Sequence, residues 1–181
     1  KINELKYRKS PVGDVTIKID SRDQIKYLAN VVVSNNDNSI IANTIYYNYS
    51  ENGAIESEVK INKMQMSTLQ AFIPNTISNV SGNIYGEFDI KGLIKDPDIS
   101  GEVSFDSVKG RILYLNNTFS IQDEKIVIRN KNANFNNFVI NDSLNNKTTI
   151  DGNIAYSLSQ PIGLNLKIRS DNFLLLNTQK G

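Results

Sequence analysis

From Val80 to Gly92 the chain alternates without a break. Val80, Gly82, Ile84, Gly86, Phe88, Ile90 and Gly92 are apolar or glycine, and Ser81, Asn83, Tyr85, Glu87, Asp89 and Lys91 stand between them. A period of two belongs to an extended strand with one apolar and one solvated face. Residues 93–98 interrupt it, because Pro97 cannot donate to a ladder and Asp96-Pro97-Asp98 favours a turn. A second alternating strand follows, with Ile99, Gly101, Val103 and Phe105 on one face.

The same rhythm recurs along the chain. Residues 1–9 predict an edge strand ended by Ser10-Pro11. Val15, Ile17 and Ile19 face in against Thr16 and Lys18, and residues 25–33 form the next strand. Residues 40–49 are β-branched and aromatic, a strand by composition. Its facing is ambiguous, since Ile41, Ile45, Tyr47 and Tyr49 compete with Ile40 and Tyr46. Asn52-Gly53 is a hairpin signal leading into Ile55, Val59 and Ile61. Further on, Val108, Gly110 and Ile112 lead to Phe119 and Ile121, and Asp123-Glu124 is expected to turn the chain into Ile126 and Ile128. Phe138 and Ile140, then Ile150, Gly152 and Ile154, then Leu164, Leu166 and Ile168 continue the pattern, and a short apolar run, Asn172 to Thr178, ends it. Strands separated by turn signals roughly every 8 to 12 residues make an all-β chain.

One stretch changes period. Met66, Leu69, Phe72 and Ile73 fall at helical spacing before Pro74, which predicts a short amphipathic helix over 63–73 that plugs exposed apolar surface. Alternation alone fits two architectures, a closed β-sandwich core and an open groove. The groove-shaping glycines Gly82, Gly86, Gly92 and Gly101 sit on the apolar face, where they add no volume but permit curvature and close approach. An apolar content of 39% also suits an elongated curved sheet better than a compact sandwich.

Composition removes several chemistries. The 181 residues carry a net charge of +1 with both signs interspersed, so no electrostatic footprint for nucleic acid is present. Cysteine and histidine are absent, which removes disulfides, thiolate zinc sites and the usual general base. No apolar run approaches the ~20 residues of a membrane helix, and the chain, beginning at Lys1, reads as a segment of a longer protein. Asp96 and Asp98 read as turn residues rather than a calcium site. The 35–39 stretch lacks the glycine and bidentate glutamate of a calcium loop. The N-x-S/T triplets at Asn48, Asn79, Asn116, Asn141 and Asn146 read as chance in an asparagine-rich chain, and the serines have no base to activate them. Glu56 and Glu58 share a solvent face. No catalytic residue, metal site or cofactor is expected.

Written as G-x-I-x-G-x-F-x-I-x-G-x(4)-P-x-I-x-G-x-V-x-F, residues 82–105 resemble the repeat signature of the TamB family within the AsmA-like proteins. The stretch 69–74 is similar to that family's short helix before such a repeat. Residues 112–121, the Ile140-Asn141-Asp142 element, residues 148–156 and the closing run follow its C-terminal order. The likeness covers 64–178; residues 1–63 share only the alternation. A division into a 1–63 strand segment and a 64–181 TamB-like segment, joined as one continuous unit, follows. The resemblance implies an elongated β-taco sheet with a hydrophobic groove, in an envelope protein of a double-membrane bacterium that spans the periplasm from an inner-membrane anchor. It implies carriage of phospholipid acyl chains toward the outer membrane, alongside an outer-membrane barrel protein of the BamA/TamA type. The expected groove lining is Ile84, Phe88, Ile90, Ile99, Val103, Phe105, Ile150, Ile154, Leu164, Leu166 and Ile168. The alternatives are a chaperone that holds barrel strands by augmentation, and a β-sandwich adhesin or carbohydrate-binding module.

Overall fold

A computed structural model describes residues 1–8, 10–21, 23–49, 52–156 and 161–178. The strands are β1 (Ile2–Tyr7), β2 (Ser10–Ser21), β3 (Lys26–Ser34), β4 (Asn38–Tyr47), β5 (Ala54–Gln65), β6 (Ile77–Leu93), β7 (Asp98–Ile112), β8 (Asn117–Ile121), β9 (Glu124–Arg129), β10 (Asn132–Asn141), β11 (Lys147–Ala155) and β12 (Gly163–Ser170). They form one antiparallel sheet in which sequence neighbours pair, except that β8 and β9 both lie between β7 and β10, from β1 at one edge to β12 at the other. The two edges do not pair with each other. Among the described residues no second sheet faces this one, so the chain is all-β with an open curved sheet rather than a sandwich.

The long strands are those with the longest uninterrupted alternation. β6 runs for 17 residues and β7 for 15. Opposite β7 the chain answers with two short strands, because β8 pairs with 108–112 and β9 with 101–105 in the same direction. Asp123-Glu124 therefore does not reverse the chain. Asp123 has φ 51, and it breaks one long strand into two collinear pieces. Asn52-Gly53 does lie in a reversal, but a wide one, since the β4–β5 register closes at Tyr47 opposite Ala54.

Bulges bend the sheet, and their residues explain part of the asparagine content. Register shifts occur at Ile2/Leu5, Ser78/Ser81 and Phe135/Phe138, where Glu4, Asn79 and Asn137 hold φ near +50. Asparagine tolerates that left-handed geometry better than most residues, and a bulge adds bend and twist. Two of the bulge amides that leave the ladder are taken up by carboxylates of the next strand. Glu4 N–H donates to Asp14 Oδ1 (2.9 Å) and Asn137 N–H to Asp151 Oδ1 (2.8 Å). Those backbone donors are the leading reason both carboxyls sit below their ordinary pKa.

The one α-helix among the described residues, α1, spans Met66–Phe72, shorter than the predicted 63–73. Its first residues are claimed by the ladder, because Met64 and Gln65 still pair with Ile84 and Asn83 of β6. Ile73 N–H closes the far end on the Gln70 carbonyl at 3.1 Å, just before Pro74. The buried core forms under this helix from Met66, Ile84 and Val108, with Leu69, Val80, Phe105 and Ile121 packed against it. α1 also touches β2 as well as β5 and β6, and Phe72 stacks on Tyr7 of β1 with centroids 4.6 Å apart. One short helix reaches all of these strands only because the sheet curls toward it.

Candidate functional site

Directly paired residues in an antiparallel sheet share a face, so the register fixes which side chains stand together. One line crosses the sheet from β2 to β12: Ile17, Val31, Ala42, Val59, Phe88, Gly101, Ile128, Ala133, Ile154 and Leu164, each directly paired with the next. Every member is apolar or glycine. At about 4.8 Å per strand the line is on the order of 40 Å long. A parallel line, Val15, Val33, Ile40, Ile61, Gly86, Val103 and Ile126, runs beside it. The register also settles β4, whose Ile40, Ala42 and Tyr46 share this face while Ile41, Ile45 and Tyr47 lie on the other.

All of the predicted lining residues fall on this one face: Ile84, Phe88 and Ile90 of β6; Ile99, Val103 and Phe105 of β7; Ile150 and Ile154 of β11; and Leu164, Leu166 and Ile168 of β12. They do not share one environment. Ile84 is buried in the cluster beneath α1, so it is part of the packed core rather than an accessible wall. Leu164 is 70% exposed and Ile168 60%, while Phe88, Ile90, Ile99, Val103 and Phe105 are half-buried. Between β2 and β12 the register places one charged residue on this face among the described residues, Glu124, opposite Phe105 at the β8–β9 break.

The glycines serve Phe88. A Cβ on Gly101, its direct partner, would lie 2.0 Å from the Glu87 carbonyl oxygen and 2.9 Å from the Phe88 ring. A Cβ on Gly86 would meet the same ring at 2.8 Å. The aromatic therefore lies down over bare backbone, which keeps this part of the wall flat and covers glycines that would otherwise expose the ladder. Gly82 stands at a bulge with φ +92, and its Cβ would strike the Ser107 carbonyl at 2.4 Å. Gly92, by contrast, is exposed beside the 93–98 turn, where a Cβ would meet nothing nearer than 3.9 Å. It shapes the turn and not the wall.

Covers close the face along one rim, where β5 ends and β6 begins. Their anchors are polar residues that the alternation does not reveal. Asn38 is 1% exposed; its Oδ1 accepts from Gln65 N–H (3.2 Å) and Thr68 Oγ1–H (3.1 Å), and its Nδ2 donates to the Val12 carbonyl (3.0 Å). This ties α1 to β4 and β2. Farther along the same rim the closing run folds back over β8, with Phe173 stacked on Phe119 at 5.7 Å and Asn117 Nδ2 donating to the Leu174 carbonyl. Asp142, itself buried, accepts from Leu174 N–H at 2.7 Å. Burial pushes the Asp142 carboxyl up, but its hydrogen bonds from Leu174, Asn146 and Leu144 outweigh that and hold it at about 2. The closing run thus follows no strand pattern because its backbone is bound chiefly by side chains, a signal that hydropathy does not carry.

The opposite face is solvated. A depression of about 690 Å3 on it is lined by Glu58, Lys60, Glu87, Asp89, Glu102 and Arg129 among others. Each face of a twisted sheet is hollow in one direction, and this face carries ion pairs, Lys60 to Glu87 at 2.8 Å and Lys125 to Glu102 at 3.4 Å. Asp96 and Asp98 flank the β6–β7 turn, where Asp96 N–H donates to the Leu93 carbonyl (3.0 Å) and the Asp96 carboxylate pairs with Lys131. Compared with known proteins, the chain matches no protein-family model, no curated protein and no solved structure.

Proposed function

We propose that the chain is a non-enzymatic segment of a TamB-like envelope protein, residing in the periplasm of a double-membrane bacterium, whose apolar face shields phospholipid acyl chains on their way to the outer membrane. The observation that supports this reading is the line from Ile17 to Leu164, which crosses the sheet without a polar side chain. Exposing one CH₂ to water costs about 0.8 kcal/mol, so a ~16-carbon chain in water costs on the order of 10 kcal/mol. A carrier has to cover that chain along its whole path. The ladder satisfies the backbone of this wall, so the wall needs no polar side chains and gives a lipid nowhere to stop. Large exposed apolar surfaces mark binding sites, and here the acyl chain is the occupant.

A photo-crosslinking residue at Phe88 is expected to capture phospholipid in cells, and one at Glu87 or Asp89, on the other face, is not. Equal labelling at the two sets sinks the reading. A specific observation favours a second reading: among the described residues no strand pairs with the outer side of β12, or with that of β2 beyond the pairing of Val15 with Ile2. Such an edge can accept an unfolded barrel strand by augmentation. Under that reading Leu166→Pro abolishes crosslinks to outer-membrane barrel proteins and leaves lipid labelling at Phe88 unchanged.

A further inference from the structure

The closing run differs from α1 in how it is held. α1 continues β5 and leads into β6, and its Met66 is part of the buried core. The closing run forms no strand, and Leu175 and Leu176 are 57% and 51% exposed. It packs through Phe173 on Phe119, and it is bonded through Asp142, Asn117 and Asn116, with Asn177 N–H on the Leu115 carbonyl (3.0 Å). Phe119 and Ile121 alternate on β8, and Ile121 packs against the buried cluster, so Phe119 stands on the apolar face. A segment that is apolar, half-exposed and outside the strand ladder is one that exchanges locally before the sheet does.

We infer that the closing run is a displaceable cover over the apolar face at β8, and that Asp142 is its catch. With the cover seated, an acyl chain is confined to the accessible strip through Ile17, Phe88 and Leu164. With the cover displaced, Phe119 joins that strip, while Ile121 stays packed on the cluster beneath α1. The second half of the inference rests on the acyl-chain reading; the cover and its catch do not. The chemistry at the catch is divided between two oxygens. Oδ1 accepts from Leu144 N–H and Asn146 N–H, which shape the β10–β11 turn, while Oδ2 accepts from Leu174 N–H and the Asn146 side chain. Asp142→Asn keeps an oxygen for the turn and places a donor where Leu174 N–H needs an acceptor.

The test uses the whole 181-residue chain with Asp142→Asn and two readouts. Amide exchange at Leu174 and Asn177 is expected to rise at least about tenfold, while the amides of β6 and β7 keep their rates. Vesicles of phosphatidylethanolamine and phosphatidylglycerol bearing an acyl-chain diazirine are expected to label Ile17, Phe88 and Leu164 in both proteins, and Phe119 in the variant alone. Unchanged exchange at Leu174 overturns the catch, and exchange that rises equally in β6 makes Asp142 a general structural residue and overturns it too. Local release with Phe88 labelled but Phe119 unlabelled overturns the gating. Labelling of no apolar-face residue in either protein overturns the acyl-chain reading and the gating together, and the exchange result then decides the catch by itself.

Discussion

Two halves of the same apolar face behave differently. Along β2, Val15 is 8% exposed, Ile17 50% and Ile19 70%, although all three obey one alternation. Near the α1 rim, Ile84, Val108 and Phe138 are buried as well. Toward the other rim the same face is half-open across the middle strands and bare at the edges. The difference does not come from hydrophobicity, since isoleucine and valine occur in both halves. It comes from what lies on top: α1 and the closing run cover one rim, and among the described residues no helix or folded-back run covers the other, where Tyr156 O–H reaches the Ile99 carbonyl at 3.2 Å. One half is therefore a core that holds the sheet together, and the other is an exposed apolar surface.

The sharpest way to break that distinction is to cut side chains from each half. Phe138, 2% exposed and in edge contact with Phe105 and Phe135, is expected to cost about 3–5 kcal/mol in urea unfolding when replaced by alanine. Leu164→Ala, on the same face, is expected to shift stability by no more than about 0.5 kcal/mol. Comparable losses at the two positions would mean that the face is one core throughout. Asn38→Ala comes next. It strips the acceptor from Gln65 N–H and Thr68 Oγ1–H in a buried place, at about 1–3 kcal/mol. Its mark is faster amide exchange in α1 than in β9; a uniform change would show that α1 is not pinned there.

The smallest effect is acid-linked and belongs to the closing run. The Asp142 carboxyl is held at about 2 in the fold, below the ~3.9 of an unfolded aspartate. A lowered carboxyl stabilises the fold above the unfolded pKa, and the contribution is lost as pH falls toward the folded value. Asp14 and Asp151 are shifted in the same direction, so their bulges weaken over the acid range as well. Protease cleavage within 172–178 is expected to rise between about pH 4 and pH 2 before near-ultraviolet signals of the sheet are lost. Simultaneous loss would make the run an integral part of the sheet.

Much of the wall was legible in the alternation. β6 ends at Leu93 and β7 begins at Asp98, on either side of the expected turn, and the expected lining residues do share a face. Ile84 could not be told from Phe88, because burial depends on α1 lying over one and not the other. Asp123 looked like a reversal, whereas the ladder on either side of it continues in one direction. Hydropathy does not single out Asn38 or Asp142; their weight comes from partners 30 and 32 residues away.

By itself the sequence determined that the chain is a succession of amphipathic strands, because a period of two admits one facing for each. It also set the glycines beside Phe88, since their spacing on the alternating face is a local property. The tertiary structure decided that the strands make one open sheet, that the sheet curls toward a single short helix, and which half of its apolar face is sealed. Those outcomes rest on contacts between residues far apart in the chain, and alternation carries no information about what will lie above a strand.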